Sequence, residues 1–345
     1  MKKLLALMMV LVMALGVMGA VAEDSKTIEN LTVYFVPSAS VEEMTTAAEP
    51  LKQMLIDELA KYGYTIKNVE IGVGTDYAVV GEGMISGTID VGFLPANTYV
   101  LYAEDGVDVI LSATRAALSV ESENFDDWNV EVLKSDDVAS GYRSLIYVNA
   151  YTEKGAELLE KARAGKLTWD DINNATWALG STTSGASYVY PSIWINKNFG
   201  EGIGEGKKTV ADLAHATFGG GYPDNCESVL LGQADIYAGF ADTRQNDYAS
   251  EGFKSVYPEK AAEGKNVFDC LKVIGVTDMI MNDTISVGTA PYITPEFKEA
   301  LQKAFLSIIE TDEGKATVAP YSHTGYAIVD DSDYDGTRAA ITIFD

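Results

Sequence analysis

Thr182, Thr183, Ser184 and Ser187 put four hydroxyls into six residues, between a strand that ends at Gly180 and a helix that starts near Gly185. A helix start offers unpaired N–H groups and the positive end of the peptide dipole. Hydroxyls beside it add further donors, so such a turn can hold an oxyanion without a lysine. An ordinary helix cap needs only one oxygen. Four hydroxyls exceed that, which favours anion binding over simple capping.

Other chemistry is scarce. Two histidines, His215 and His323, and two cysteines, Cys226 and Cys270, leave little room for a Ser/His or Cys/His nucleophile. They cannot build a four-cysteine zinc site or a disulfide-dense scaffold. The two cysteines are either one disulfide of an oxidising compartment or a pair of buried thiols. Asp331-x-Asp333-x-Asp335-Gly336 copies the first half of a calcium loop, but Thr342 stands where the loop needs a bidentate Glu. Gly202-Ile-Gly204-Glu-Gly206 has no preceding strand and no Lys-Ser/Thr, so it is not a nucleotide loop. No catalytic residue, no metal and no cofactor are expected.

The 345 residues carry 25 Lys+Arg against 51 Asp+Glu, a net charge of −26. That balance argues against nucleic acid and against anionic membrane surfaces, both of which are held by basic side chains. An apolar fraction of 47% excludes a disordered chain, and the length allows two domains. At the N-terminus Lys2 and Lys3 precede an apolar run from Leu4 to Met18, followed by Ala20-Val21-Ala22. This reads as a secretory signal peptide, residues 1–22. Its removal takes two lysines and moves the net charge to −28. Val17-Met18-Gly19-Ala20 has Ala where a lipoprotein would need Cys, so an exported chain without a lipid anchor is expected. No other stretch nears the ~18 apolar residues of a membrane span.

The elements that must position the hydroxyl turn are short strands and helices in alternation. Strands are predicted at Leu31–Val36, Val69–Val73, Asp90–Leu94, Val109–Ala113, Ser144–Val148, Thr176–Gly180, Asp235–Ala238 and Val273–Val276. Ser40 with Glu43 forms a capping-box signature, and Met44 to Leu59 follow at helical spacing. Further helices are predicted at 76–84, 155–164, 188–196 and 228–231. Pro295 opens a helix whose buried face is Phe297, Leu301, Ala304, Phe305 and Ile308. Glu121 to Ser140 reads as a polar, acidic stretch. The alternation indicates α/β architecture with parallel strands.

Several segments, in order, resemble the substrate-binding proteins of phosphate/phosphite/phosphonate ABC transporters. They are Val36-Pro37-Ser38, Thr75-Asp-Tyr-Ala-Val-Val80, Ile89-Asp-Val-Gly-Phe-Leu94, Gly141-Tyr-Arg-Ser-Leu-Ile146, Ser181-Thr-Thr-Ser-Gly185 with Pro191-Ser192, Gly232-Gln-Ala-Asp-Ile236 and Asp331-Ser-Asp-Tyr-Asp-Gly-Thr-Arg338. The resemblance implies a type II periplasmic-binding-protein fold: two α/β lobes, a two-strand hinge and a ligand cleft between them. Lobe one would be residues 23–140 and 284–345, lobe two 141–283. It implies ligand contacts from Tyr77 and Tyr142, and an ammonium acceptor in Asp242 and Asp283. Alignment from the hydroxyl side selects Thr182, Thr183 and Ser184; alignment from Pro191 puts Ser184 first and includes Ser187. Gly219-Gly-Gly-Tyr-Pro-Asp-Asn225 departs from the family, and Tyr222, Asp224 or Asn225 stands where some members have His.

The expected function is therefore capture of a small phosphorus oxyanion or aminoalkylphosphonate by a monomer that hands it to an ABC permease. No nucleic acid partner is expected. The alternatives are a binder of another small polar solute on the same fold, a secreted hydrolase using paired carboxylates, and a sensor or adhesion module.

Overall fold

The computed structural model describes residues 26–38, 40–201, 206–244 and 251–344. The expected leader, and most of the 202–206 glycine loop, lie outside them. Among the described residues the strands run β1 (Thr27–Ile28), β2 (Leu31–Phe35), β3 (Thr65–Ile66), β4 (Val69–Val73), β5 (Val91–Leu94), β6 (Asp108–Leu118) and β7 (Lys134–Ala139). They continue with β8 (Gly141–Asn149), β9 (Trp177–Ala178), β10 (Ala216–Thr217), β11 (Ile236–Phe240), β12 (Leu271–Met281), β13 (Thr284–Val287) and β14 (His323–Ala327).

Seven strands form one sheet in the order β14-β6-β13-β5-β2-β4, with β7 paired to β6. Five form a second, β10-β9-β11-β8-β12. β2 runs parallel to β4 and β5, and β9 runs parallel to β10 and β11. Each sheet carries its own core. Val33, Phe35, Val91, Phe93, Leu301 and Phe305 pack in the first. On the second, period-two alternation sends Leu145, Tyr147 and Tyr237 to one face and Ile146, Val148 and Ile236 to the other.

The chain passes between the sheets twice, side by side. Residues 139–141 link β7 to β8, and residues 281–284 link β12 to β13. Asn282 donates its amide to the Ala139 carbonyl at 2.8 Å, and Met281 lies opposite Gly141 in the β8–β12 ladder. A Cβ at Gly141 would stand 2.6 Å from the Ile280 carbonyl oxygen, so only glycine fits there. The last turn bridges as well: Ile341 packs on cores of both sheets, Lys207 donates to the Ile343 carbonyl, and Phe344 stacks on Tyr188. The described part of 284–345 therefore does not contact the first sheet's body alone, and neither does that of 23–140: Trp128 and Val132, between β6 and β7, lie in the second sheet's core, and Asn129 bonds Val273 of β12.

Several local expectations are corrected. Ser40 precedes the helix Val41–Ala48, but its side chain makes no capping bond. The run from Met44 to Leu59 is two helices, because Glu49-Pro50 interrupts it and Pro50 has no N–H to continue the ladder. The stretch 121–140 holds the 3₁₀ turn Phe125–Trp128 and β7. β6 and β12 are each eleven residues, far longer than their apolar centres. The calcium-like tail is a 3₁₀ turn, Asp331–Tyr334, leading into the helix Asp335–Ile341, and Arg338 pairs with both Asp331 and Asp335. Cys226 and Cys270 do not form a disulfide, and both thiols are buried in one core.

Asp90 ties β5 to β2 in the first sheet: one carboxylate oxygen accepts from the Thr32 N–H at 2.8 Å and from its hydroxyl at 2.7 Å. Asp90→Ala leaves the Thr32 N–H unmet, while its hydroxyl keeps the Thr88 carbonyl at 3.2 Å, and should cost about 1–3 kcal/mol. A urea midpoint shift at unchanged slope would report it; a loss under about 1 kcal/mol would reject this role.

Candidate functional site

The first sheet's parallel strands deliver their site residues from their C-terminal ends. β2 ends before Val36-Pro37-Ser38, β5 ends before Pro95, and β4 leads through Gly74 and Thr75 into the helix Tyr77–Ile85. On the second sheet, β9 leads to Gly180 and Ser184, and β11 ends at Phe240 before Asp242. These ends converge on a hollow lined by Ser38, Tyr77, Arg115, Tyr142, Gly185, Tyr222, Phe240, Asp283, Tyr321 and Ser322, with prolines at its rim. Its free volume is about 30 Å³, room for about one water. A small contiguous space joins Tyr77 and Tyr222 to Ser184.

The hydroxyl turn divides on folding. Ser184 is buried, and its hydroxyl lies 2.8 Å from the Tyr222 phenol. Ser187 is also buried, but its Oγ accepts from the Gly180 N–H at 2.7 Å, which closes the turn locally. Thr182 is exposed. Thr183 pairs its hydroxyl with Ser181, and its carbonyl accepts from Asn97 and Thr98. Ser184 alone of the four lines the space beside the tyrosines. The turn then runs into a π-helical segment, Gly185–Val189, before the α-helix Tyr190–Phe199. A Cβ at Gly185 would meet the Asn97 side-chain oxygen at 2.5 Å, so glycine lets this turn approach the first sheet's residues.

Three helical starts face the same place: Tyr77, Gly185 and Tyr222 each open their segment. Their aligned peptide dipoles put partial positive charge at the hollow without adding a formal charge. The phenols of Tyr77, Tyr142, Tyr222 and Tyr321 form the lining. Burial pushes all four up in pKa: Tyr222 to about 12, and the others well above the ordinary range. They remain neutral at physiological pH, and Tyr321 already gives its proton to the Val36 carbonyl. Ser322, in the left-handed region at φ 59°, turns the chain so that Tyr321 and Ser322 both reach the hollow.

Arg115, from β6, is the cation of the site and was not legible as such. One Nη donates to Asp242 at 2.8 Å, and the guanidinium lies over the rings of Tyr142 and Phe240 at 4.5 and 5.4 Å. Burial is the largest single influence and lowers its pKa, but Asp242, Tyr142 and Asp283 together outweigh it, so the net shift is upward. The strand was expected to end at Ala113, which left Arg115 unassigned. Its signal was one arginine inside an otherwise small and apolar run, Ala113 to Leu118.

The two candidate acids separate. Asp283 lines the central hollow, 3.4 Å from the buried His323 ring nitrogen. Asp242 is tied to Arg115, with Lys134 at 3.8 Å, and faces a different hollow. They do not form one two-carboxylate pocket. Asp224 lines neither hollow, and Asn225 bonds the Gly220 carbonyl.

A model of the family described as ABC transporter, phosphonate, periplasmic substrate-binding protein matches residues 33–334. The phosphate-import protein PhnD of Mycolicibacterium smegmatis is 25% identical over 320 residues, 90% of this chain and 84% of that protein. Two solved structures share the fold. The binding-protein component of an ABC phosphonate transporter from Pseudomonas aeruginosa superposes with TM-score 0.62 at 18% identity, covering 90% of this chain and 85% of the other. PhnD1 of Prochlorococcus marinus, in complex with methylphosphonate, gives TM-score 0.59 at 14% identity, covering 90% and 97%.

The raised phenols have a measurable consequence. A tyrosine held protonated in the fold and ionising near 10.0 when unfolded stabilises fully below that pH, and the gain is lost as pH rises through the folded value, about 12 for Tyr222. Stability should therefore fall between about pH 10 and 12. Absorbance titration of the native protein should leave at least these four phenols un-ionised at pH 10.5. Full ionisation of all 19 tyrosines there without unfolding would contradict the arrangement.

Proposed function

The chain belongs to the family of periplasmic substrate-binding proteins of phosphonate ABC transporters, and on that premise we propose that it captures a small phosphorus oxyanion in the tyrosine-lined hollow and presents it to a membrane permease. The observation that carries this reading is the convergence of Ser184, Tyr77, Tyr222, the Gly185 turn and Arg115 on one enclosed point. Arg115 has five N–H donors and gives one to Asp242. The rest of its fork is available to a ligand oxygen, and bidentate contact to phosphorus oxyanions suits that fork. Tyrosine, serine and backbone donors complete the shell while the chain stays strongly acidic overall. The names of two relatives, a phosphate importer and a methylphosphonate complex, agree with a ligand of this class.

Asp283 meets the ligand's own hydrogen, on a P–OH or an ammonium. The separation of Asp283 from Asp242 favours one such contact over a doubly held ammonium. An oxyanion is larger than the free volume of the hollow, so entry requires the two sheets' bodies to part. Residues 139–141 and 281–284 serve as the hinge, between lobe one (23–140 and 284–345) and lobe two (141–283). The ligand's greater affinity for the closed form shifts the equilibrium towards it. The protein acts as a monomer, exported by residues 1–22. It makes and breaks no bonds, since capture alone accounts for every residue at the site.

Thermal unfolding with methylphosphonate, 2-aminoethylphosphonate, phosphite, phosphate and sulfate should single out a narrow set. A ligand at a hundred times its Kd should add about 2.7 kcal/mol of stability. Ser184→Ala and Arg115→Gln should each weaken that ligand about 10- to 100-fold, the range for a hydrogen bond to a charged group. Asp283→Asn should act selectively, weakening 2-aminoethylphosphonate more than methylphosphonate if Asp283 meets the ammonium. An unchanged dissociation constant in both Ser184→Ala and Arg115→Gln would remove the hollow from the binding function.

A further inference from the structure

His323 of β14 lies sealed beside Asp283. Its side chain is 1% exposed, and Nε2 stands 3.4 Å from Asp283 Oδ2. Nδ1 is buried and has no hydrogen-bond partner among the described residues. A carboxylate at Nε2 selects the tautomer with its hydrogen there, which leaves Nδ1 an empty proton acceptor. The rings of Tyr321, Tyr326 and Phe93 surround the imidazole, with centroids 5.6, 5.9 and 6.2 Å away. His323 also stands opposite Arg115 in the β14–β6 ladder, on the same face of the sheet. The Asp283 carboxylate favours a positive imidazole and burial opposes one, so a further charge nearby tips the balance.

The enclosed charges do not by themselves suit an anion. Arg115 carries one positive charge against the negative charges of Asp242 and Asp283, so the three leave a single negative charge while His323 is neutral. Lys134 reaches Asp242 at 3.8 Å with a side chain 40% exposed, where solvent and salt screen it. Tyr77, Tyr142, Tyr222, Tyr321 and Tyr334 act on or feel Asp283, but burial pushes each of them up, so they stay neutral. The helices Pro295–Ile309 and Asp312–Thr317 also pack on β14, and their buried residues carry no titratable group. We propose that His323 is the charge-balancing residue of capture: it takes one proton from solvent onto Nδ1 as the oxyanion enters and returns it when the ligand leaves. The proposal rests on the oxyanion reading of the central hollow and adds a proton linkage to it. The sign is fixed by reciprocity: an anion that favours the charged imidazole is itself held more tightly by the charged imidazole, by the same factor. Capture is therefore tighter at low pH and weakens as pH rises, by at most about tenfold per pH unit for one linked proton.

The test is nitrogen-15 spectroscopy of the imidazoles in the full mature chain. The chain has two histidines, and His215 is exposed, so His215→Gln assigns the signals. At about pH 8, saturating methylphosphonate should move the His323 nitrogens from the pattern of one N–H to that of two and leave His215 unmoved. Calorimetric titration in two buffers of different ionisation heat counts the protons taken up. The ligand's own hydrogen exchanges in the same range, so the count is compared with that of His323→Gln, whose amide still offers Asp283 a donor. That variant should take up about one proton fewer per ligand and bind about tenfold more weakly, the scale of coupling between two sites. A His323 ring that stays neutral in the saturated complex, or already carries two N–H groups in the free protein, overturns the linkage and leaves capture intact. An unchanged proton count in His323→Gln does the same. Should that variant fail to fold, the spectra of the unaltered chain decide alone. If methylphosphonate, phosphite and phosphate all fail to bind the unaltered chain, the head-group reading falls and the linkage with it.

Discussion

The Arg115–Asp242 pair is the contact on which the site depends. Arg115 comes from β6 in the first sheet and Asp242 from the end of β11 in the second, so one ion pair joins two bodies with separate cores. A buried pair costs desolvation on both partners and is a poor source of stability by itself. Its consequence here is positional. The carboxylate holds the guanidinium between the Tyr142 and Phe240 rings and keeps it charged where water is scarce. Without Asp242 the arginine would be a buried cation free to turn away from the hollow.

Around that pair the molecule solves an electrostatic problem. A chain with a net charge of −26 repels anions at long range, although salt screens this beyond about 8–10 Å. Inside the hollow the balance differs. Three helical starts bring partial positive charge, and the buried phenols of Tyr77, Tyr142 and Tyr222 with Ser184 bring neutral donors. Dipoles fixed in a poorly hydrated space act more strongly than the same groups in water. Local arrangement, rather than total charge, therefore governs which solute can sit there.

The crossings are where the chain joins the two bodies. Residues 139–141 and 281–284 carry the chain from one sheet to the other, while the β6–β7 connection, with Trp128 and Val132, packs into the second sheet's core and the last described turn closes upon both. Asn282 clips one crossing to the other, and Gly141 allows their backbones to touch.

Much of this was legible locally. The short strands and the helix opened by Pro295 follow from period, proline geometry and apolar content, which act over a few residues. Ser184, Tyr77, Tyr142, Tyr222 and Asp283 were singled out from the residues or from the family resemblance, and folding brings all five to the central hollow or the space beside it. Thr182, Thr183, Ser187 and Asp242 were singled out too, yet they turn to solvent, to the backbone or to Arg115. Hydroxyl count alone could not tell Ser184 from Ser187, because the difference is one bond to the Gly180 N–H. Nor could sequence place Arg115 against a carboxylate 127 residues away. The sequence by itself determined the elements, the family and the scarcity of reactive side chains. Only the tertiary structure decided which hydroxyls, which acid and which cation share a space, because that depends on long-range packing between two sheets and not on any local pattern.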